Sequence, residues 1–534
     1  MKRMFLYLTK WTPVVTLPLL LLYACGDTAK KTNAGQTAHK AAKADSARAA
    51  IVLDSLPTEQ YVAEIIRRRE AALRQLPAMS QDAAAAAYRS LAQYMDTALA
   101  GIFQNEAKWL DTYVNYYSEE KHKTLPPPEV QARVNLLATA GIEPWYIGEG
   151  YTELRVVPDY LLKLFQQYLP ADYRQYLRIR ADEDSVLYSA DGGILVPVQD
   201  IGLRVLNWEK FLRDYPASIF TANAREEYKF YLTDYLFGED NTPSFENHND
   251  LSTLLPEYKA EYIAYAEKHK DTRSGSVVKL FLDNVEKVNS MDLFRDMIRN
   301  AIEQALDPAV TILPVQPEFR EEQAERLTKP VYDTVPGEVE IAEGTNEKID
   351  RTLDTLLYFV QQNQTYCLAV YKNQGSQGSA PVSGWVDVWV FKKVHDQWQI
   401  ADYKLEAGGG GMYGNSGYFE KVLAMGANCT GIVVNGGLTH MGTSASWDDV
   451  LTFANDKLTP AFHLVTMDGY DGGMGASSCS SNKWYMAAGN NKEAFDLVIV
   501  PSSCLGQNIP LEKLVISAKD GRYEVPSRFR DTGI

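Results

Sequence analysis

Apolar residues are spaced in two different ways along this chain of 534 residues, and the change between them constrains the fold more than any other feature. In the first half they recur every three or four positions, as in the stripe that contains Val62, Ile65 and Ile66, which is the period of one buried helix face. In the last third, short runs of β-branched and aromatic residues alternate with turn residues, a pattern typical of antiparallel strands. The sequence therefore predicts a multidomain α+β protein, with a helical domain over 58–306 followed by a β-rich, mostly antiparallel domain over 338–534.

The segment 307–337 separates the two patterns and is rich in proline and charge. Proline cannot donate a backbone hydrogen bond and interrupts regular structure. We therefore predict a linker over 307–337 that contains a short helical piece near 321–327. Its prolines are Pro308, Pro314, Pro317, Pro330 and Pro336.

Turn residues divide the last third of the chain into hairpins. One hairpin is predicted over 385–405, and a second turns at Asp520 and Gly521, a dipeptide that favours two-residue turns. The stretch 349–361 is predicted to be a helix, and 447–458 fits a helix or a strand equally well. Further strands are predicted at 366–371, 430–434, 462–466 and 495–500.

The N-terminus has the parts of an export signal. Lys2 and Arg3 supply positive charge, residues 11–22 are uncharged and mostly apolar, and the tetrapeptide LYAC ends at Cys25. This tetrapeptide resembles the lipobox of bacterial lipoproteins. The resemblance implies that 1–24 is a signal peptide removed on export, and that Cys25 then carries a palmitate-type lipid.

Residues 25–57 are mostly polar and small and have no periodic apolar face. We predict that they form a flexible, lipidated tether, which would span about 30 Å root-mean-square. Two acyl chains give a stable membrane anchor. The lipoprotein resemblance therefore implies a lipid-anchored protein of the cell envelope, with the outer membrane favoured and the face of the membrane left open.

Charge and tyrosine content indicate the kind of partner. The 53 basic and 69 acidic residues give a formal charge of −16, which repels phosphate backbones, so no nucleic acid partner is expected. The 32 tyrosines suit helix packing, and they also suit a protein or glycan interface. The segment 211–218, followed by Ala222 and Ala224, resembles one helix pair of a tetratricopeptide repeat, which implies a helical docking surface.

Four cysteines remain besides Cys25, and all lie in the last third. An exported chain meets oxidising conditions, so an even number of cysteines indicates disulfides. No C-x-x-C pair suggests zinc. The disulfide candidates are Cys367, Cys429, Cys479 and Cys504.

Two loops of the C-terminal half have compositions associated with ligands. The glycine-rich run 408–417 lacks the Lys-Ser or Lys-Thr that follows a phosphate-binding loop, so we interpret it as a turning loop. Asp468 and Asp471, in an Asp-Gly-rich segment, are calcium candidates because calcium prefers carboxylate and carbonyl oxygens. No cofactor is expected.

Histidines do not show a metalloenzyme motif, because no H-E-x-x-H occurs. His440 and His463 share the C-terminal half with Ser444, Ser446 and Asp448, from which a serine triad could be assembled only if folding brings them together. No catalytic residue is assigned on this basis.

The sequence thus predicts a membrane-anchored envelope lipoprotein with a binding or assembly role. The alternative is an envelope hydrolase whose site lies in the C-terminal half near His440 or Asp468. A cleft that gathers a histidine, a serine and a carboxylate would favour the hydrolase.

Overall fold

The described residues belong to one compact unit, Leu53–Ile534. The predicted signal peptide, Cys25, most of the predicted tether and Cys504 are not among the residues that the structure describes. The computed structural model describes residues 56–531, apart from 289, 307–309, 314–318, 343–344, 379–381, 441, 472–476, 489–492 and 504–508.

The first half of the described chain is helical, as the apolar periodicity predicts. None of the described helices combines the length and the apolar composition needed to cross a bilayer. The helices are α1 Thr58–Gln75, α2 Gln81–Tyr113, α3 Pro128–Thr139, α4 Tyr160–Phe165, α5 Ala171–Asp184, α6 Val198–Asp214, α7 Thr221–Phe237, α8 Pro256–Lys268, α9 Arg273–Asn284, α10 Met291–Ala305 and, later in the chain, α11 Glu321–Tyr332.

Local signals begin several of these helices. Ser80 caps α2 by accepting a hydrogen bond from the Ala83 amide, and Pro128 occupies the first turn of α3, where no amide hydrogen is needed. Ser218 does not cap α7, which begins at Thr221 without a side-chain cap. The Ser218 hydroxyl instead accepts from the Phe220 amide within the preceding turn.

Tyrosine supplies much of the helical core. The largest fully buried side chains there include Trp208 and several tyrosines, which pack edge to face or tilted against one another, as Tyr235 does against Tyr262 with ring centroids 5.1 Å apart. Most of these rings are therefore core residues rather than the lining of a groove. The tyrosines below 8 % exposure in this half are Tyr61, Tyr88, Tyr173, Tyr176, Tyr188, Tyr228, Tyr231, Tyr235, Tyr262 and Tyr265.

Four short antiparallel hairpins interrupt the helices. Each joins two strands through a tight turn, and three of them lie side by side, as described below. Their strands are β1 Tyr117–Ser118, β2 Lys123–Thr124, β3 Ile142–Gly148, β4 Tyr151–Val156, β5 Ser189–Ala190, β6 Gly193–Ile194, β7 Gly238–Glu239 and β8 Thr242–Pro243.

A six-stranded antiparallel sheet follows, in the order β10-β11-β12-β13-β14 with β9 also paired to β11. The predicted helix at 349–361 is wrong, because these residues belong to the long strand β11, whose Leu357 and Phe359 are buried in the sheet core. The predicted hairpin over 385–405 is confirmed, with positive φ at His395 and Asp396 in its turn. The strands are β9 Thr311–Leu313, β10 Glu338–Ala342, β11 Thr345–Gln361, β12 Gln364–Gly375, β13 Trp385–Val394 and β14 Gln397–Gly408.

A second sheet has seven antiparallel strands that follow chain order. The ambiguous stretch 447–458 contains strand residues on both sides of a turn at Asn455 and Asp456, which both have positive φ. The turn at Asp520 and Gly521 also forms, but its arms are joined only by an isolated bridge. The strands are β15 Tyr418–Gly426, β16 Cys429–His440, β17 Thr443–Ala454, β18 Lys457–Asp471, β19 Ser477–Ala487, β20 Asp496–Ser503 and β21 Leu514–Ile516.

The two sheets pack on each other, and each carries a helical cover. Alternate residues of β12 divide between two cores: Leu368 and Val370 join the core between the sheets, whereas Cys367 and Ala369 face α11. On the second sheet, α7 contacts β19 and α10 contacts β15. The described parts of 307–337 thus include β9, which pairs with β11, and α11, which covers the six-stranded sheet.

Candidate functional site

The hairpin β17–β18 brings a histidine and a carboxylate together. Its register pairs Asp449 with His463, and the imidazole Nδ1 lies 2.7 Å from an Asp449 carboxylate oxygen. The side chains of His463 and Asp449 are 38 % and 21 % exposed. A carboxylate that orients one ring nitrogen leaves Nε2 for a ligand or a proton transfer.

The glycine-rich loop holds Asp449 from the other side. The Gly409 amide donates to the second Asp449 oxygen at 2.9 Å, and the Trp447 indole donates to the Gly409 carbonyl at 3.1 Å. Gly409 has φ +78°, and a Cβ there would lie 2.4 Å from the Ser416 carbonyl oxygen, so no other residue fits. The loop therefore serves as a turning segment that fixes Asp449, in agreement with the sequence interpretation.

Asp448, the neighbouring residue, is buried in a different environment. Its carboxylate accepts hydrogen bonds from the Trp484 indole at 2.6 Å and the Asn435 amide at 3.0 Å. Burial, with a smaller contribution from the charge of Glu420, raises the pKa of Asp448 to about 8. Asp448 is thus a buried acid, whereas Asp449 is partly exposed.

Two cavities border this region. The larger, of about 920 Å³, lies between β18 and the segment 519–530, and His463 is in its wall. The smaller, of about 450 Å³, has Cys429 and Thr452 in its wall. The first has the size of a small-molecule site.

The serines predicted to complete a triad do not reach His463. Ser446 is hydrogen-bonded to Thr466 at 2.8 Å and Ser444 to Thr439 at 3.0 Å. Within the described part of the chain, His463 has no hydrogen bond to a serine or cysteine, and the side chain of His440 lies outside that part. Among the described residues, the region therefore has an oriented histidine with no serine or cysteine hydrogen-bonded to it.

The calcium candidates lie near the end of β18. Asp468 pairs with Ala445 on one side and Ser480 on the other, and the side chain of Asp471 lies outside the described residues. No group of three or more metal-ligating side chains forms among the residues that the structure describes.

Two of the four disulfide candidates are free thiols, so the disulfide expectation does not hold for them. Cys367 is buried beneath α11 and Cys429 is partly exposed at the start of β16. Burial raises the pKa of Cys367, and it raises that of Cys429 to about 11. Cys479 lies in β19, and Cys504 lies outside the described residues.

Sequence reasoning missed the Asp449–His463 pair. The signal was the dipeptide Asn455-Asp456, which favours a two-residue turn and would have paired the two strands on either side. Without that turn, 447–458 could not be assigned, and Asp449 had no predicted neighbour.

No family model matches the chain, and neither a curated protein nor a solved structure does.

Proposed function

We propose that this chain is a lipoprotein of the bacterial cell envelope, anchored by Cys25, that acts by binding a partner protein. The observation that supports binding is a row of three hairpins that exposes large apolar side chains and carries an acidic residue on each turn. The lipobox resemblance at Cys25 supports the anchor. The lack of a nucleophile beside His463, within the described residues, makes the hydrolase alternative the weaker of the two.

The hairpin row consists of β3–β4, β5–β6 and β7–β8. A Cβ on Gly148, in the first turn, would lie 2.4 Å from the Cβ of Ala190 in the second hairpin, so the two are in close contact. The Asn241 amide of the third hairpin donates to the Gly192 carbonyl of the second at 2.8 Å. These contacts fix the three turns next to one another.

Large apolar side chains are exposed along this row. Tyr146 is 48 % exposed, Tyr151 is 59 % exposed and Leu195, directly after β6, is 57 % exposed. Single exposed apolar residues are ordinary on a soluble surface, but a group of them on contiguous elements marks an interaction surface. Tyrosine suits such a surface because its ring contributes apolar area and its hydroxyl contributes a hydrogen bond.

The turns of the row carry negative charge. Glu149, Asp191 and Asp240 are exposed, one on each turn, and no lysine or arginine lies within these turns. Charge complementarity then favours a partner protein with an apolar patch bordered by basic residues. The acidic turns would accelerate and orient its association, and the apolar residues would supply most of the affinity.

Site-specific photocrosslinking in bacterial cells tests this surface. A photoreactive residue replaces Tyr146 or Tyr151, and Tyr413 of the glycine-rich loop, 55 % exposed, is the matched control position. We expect the same protein adduct from both hairpin positions and none from Tyr413. The triple variant Glu149→Lys, Asp191→Lys, Asp240→Lys should abolish that adduct.

An adduct that survives charge reversal, or that forms equally at Tyr413, would contradict the proposal. A series of oligosaccharide adducts would show that the partner is a glycan and not a protein.

Fatty-acid labelling tests the anchor separately. Without the Cys25 thiol no diacylglyceryl group can attach, so labelled palmitate should mark the wild type and not Cys25→Ser. Cys429→Ser is the control for loss of a thiol elsewhere. Equal labelling of the wild type and Cys25→Ser would overturn the lipoprotein proposal.

A further inference from the structure

The cavity of about 920 Å³ beside β18 has one mostly apolar wall. Ala461, Phe462, Tyr523 and Val525 line it, and Phe462 and Tyr523 pack edge to face with centroids 5.6 Å apart. The Tyr523 hydroxyl donates to the Phe495 carbonyl, which fixes this ring. A fixed apolar wall of this kind suits the hydrocarbon part of a ligand.

Basic side chains border the same cavity. Lys519, Arg522 and Arg530 lie in its wall, and none of the three forms an ion pair with any residue that the structure describes. Arg528, close by in sequence, is instead paired with Glu512 at 2.6 Å. All three are exposed to solvent, and cations that line one cavity attract an anionic ligand into it.

Two carboxylates and the histidine complete the wall. Asp520 and Glu524 also border the cavity, so its wall has one more cation than anions before the His463–Asp449 pair is counted. His463 is held through Nδ1 by Asp449 at 2.7 Å, which leaves Nε2 as the ring nitrogen open to a ligand. The polar side of the cavity thus has three cationic donors and two carboxylate acceptors.

From this juxtaposition of unpaired cations, an oriented histidine and an apolar wall, we propose that the cavity binds a soluble small-molecule anion that carries an apolar group. The anionic group is a carboxylate or a phosphate monoester, held by Arg522, Arg530 and Lys519. The apolar group lies against Phe462 and Tyr523. This site is separate from the hairpin row and does not depend on it.

Isothermal titration calorimetry on the purified full-length chain tests the site with three probes: 3-phenylpropionate, phenyl phosphate and the neutral 3-phenylpropanol. We expect one or both anions to bind and the alcohol to bind at least about tenfold more weakly, since a charge-assisted hydrogen bond is lost. The variant Arg522→Gln/Arg530→Gln should weaken anion binding by about tenfold or more. Arg528→Gln, the paired neighbour, should leave it unchanged.

Several outcomes would overturn the proposal. Equal affinity for the alcohol and the acids would show that charge plays no part, and unchanged binding in the double variant would place the anion elsewhere. Inorganic phosphate binding as tightly as phenyl phosphate would remove the role of the apolar wall. Binding to phosphatidylglycerol vesicles without binding of the soluble probes would identify a lipid headgroup as the ligand instead.

Fluorescence gives a second readout in case calorimetry shows too little heat. Trp484 packs edge to face on Phe462 with centroids 5.2 Å apart. A ligand that contacts Phe462 should therefore change the Trp484 emission. The size of this change should differ between the wild type and Phe462→Leu. Identical titration curves in the two proteins would contradict contact with this wall.

Discussion

Asp448 lies in β17 with its carboxylate between Asn435 and Trp484, and burial raises its pKa to about 8. An unfolded aspartate titrates near pH 4, roughly. At a pH between these two pKa values, Asp448 is protonated in the folded state and ionised in the unfolded state. The free energy of unfolding therefore falls as pH rises from about 4 to about 8, and this loss is complete above that range.

The variant Asp448→Asn should remove this pH dependence. The wild type is expected to lose stability from this one group across that window, on the order of 1 kcal/mol per pH unit. Urea unfolding at about pH 5 and about pH 8 measures the difference, with the exposed Asp520→Asn as control. An Asp448→Asn protein with the same dependence as the wild type would show that Asp448 is ionised when folded.

Cys479 gives a second prediction for a single residue. The β19–β20 register pairs Ser480 with Ser503, and extending it by one residue would set position 504 opposite Cys479. Because Cys367 and Cys429 are free, we predict a Cys479–Cys504 disulfide. Closing a loop of about 25 residues would contribute about 3 kcal/mol.

Mass spectrometry of unreduced peptides decides the pairing. We expect a peptide pair that joins Cys479 to Cys504. Cys429 should be alkylated in the folded protein, whereas the buried Cys367 should be alkylated only after denaturation. Recovery of four alkylated thiols besides Cys25 would refute the prediction.

At the scale of elements, α11 depends on contacts with the face of the six-stranded sheet. The Trp389 indole donates to the Tyr332 hydroxyl at 2.7 Å, and the Arg351 guanidinium lies 3.7 Å from the centroid of the Tyr332 ring. The Tyr358 hydroxyl donates to the Phe319 carbonyl just before the helix. These contacts attach both ends of α11 to the sheet.

Tyr332→Phe should weaken this attachment, because the indole N–H of the buried Trp389 would lose its acceptor. The expected loss is about 1–3 kcal/mol in the free energy of unfolding, measured in urea. Tyr403→Phe is the matched control, since Tyr403 stacks on the same Trp389 at 4.4 Å but is 40 % exposed. Equal effects of the two variants would mean that the hydrogen bond contributes nothing.

Elements also differ in how well sequence predicted them. The hairpin over 385–405 and the turn at 520–521 could be predicted because alternation and turn residues are local properties of the sequence. Strand β11 was not, because its first half lacks strict alternation and its pairing with β9 and β12 determines its conformation. Tertiary pairing overrides weak local preference in such a segment.

At the scale of the whole molecule, Glu303 of α10 connects the helical half to the second sheet. Its carboxylate lies 2.8 Å from Lys229 of α7 and 3.4 Å from Lys421 of β15. The two lysines hold the pKa of Glu303 at about 2 against the opposing effect of burial. The stabilisation is therefore fully present above about pH 4.5 and is lost as pH falls toward 2.

Glu303→Gln should destabilise the protein near neutral pH, because two lysines lose their shared partner. The expected loss in the free energy of unfolding is roughly 2–3 kcal/mol, somewhat less than for a fully buried ion pair. Limited proteolysis should then cut within 307–337 faster than in the wild type, as the halves separate more readily. Glu512→Gln removes the exposed pair with Arg528 and should change stability by less than about 0.5 kcal/mol. Equal proteolysis of the wild type and Glu303→Gln would show that this contact does not join the halves.

The sequence by itself determined the order of a helical half and an antiparallel β-rich half, together with the tight turns. These follow from periodicity and backbone preference, which act between residues a few positions apart. The lipid anchor at Cys25 remains a prediction from the sequence alone.

Only the tertiary structure decided which side chains meet. Asp449 contacts His463 because a two-residue turn sets the register of β17 and β18. Asp448 is buried where Trp484 and Asn435 donate to its carboxylate. Glu303 joins elements more than a hundred residues apart in sequence. Burial and pairing are properties of the packed molecule, and no local pattern encodes them. For the same reason the cavity bordered by Arg522 and Arg530 could not be predicted, since one wall is β18 and the other is the non-strand segment 519–530, which lies beside β18 only in the folded chain.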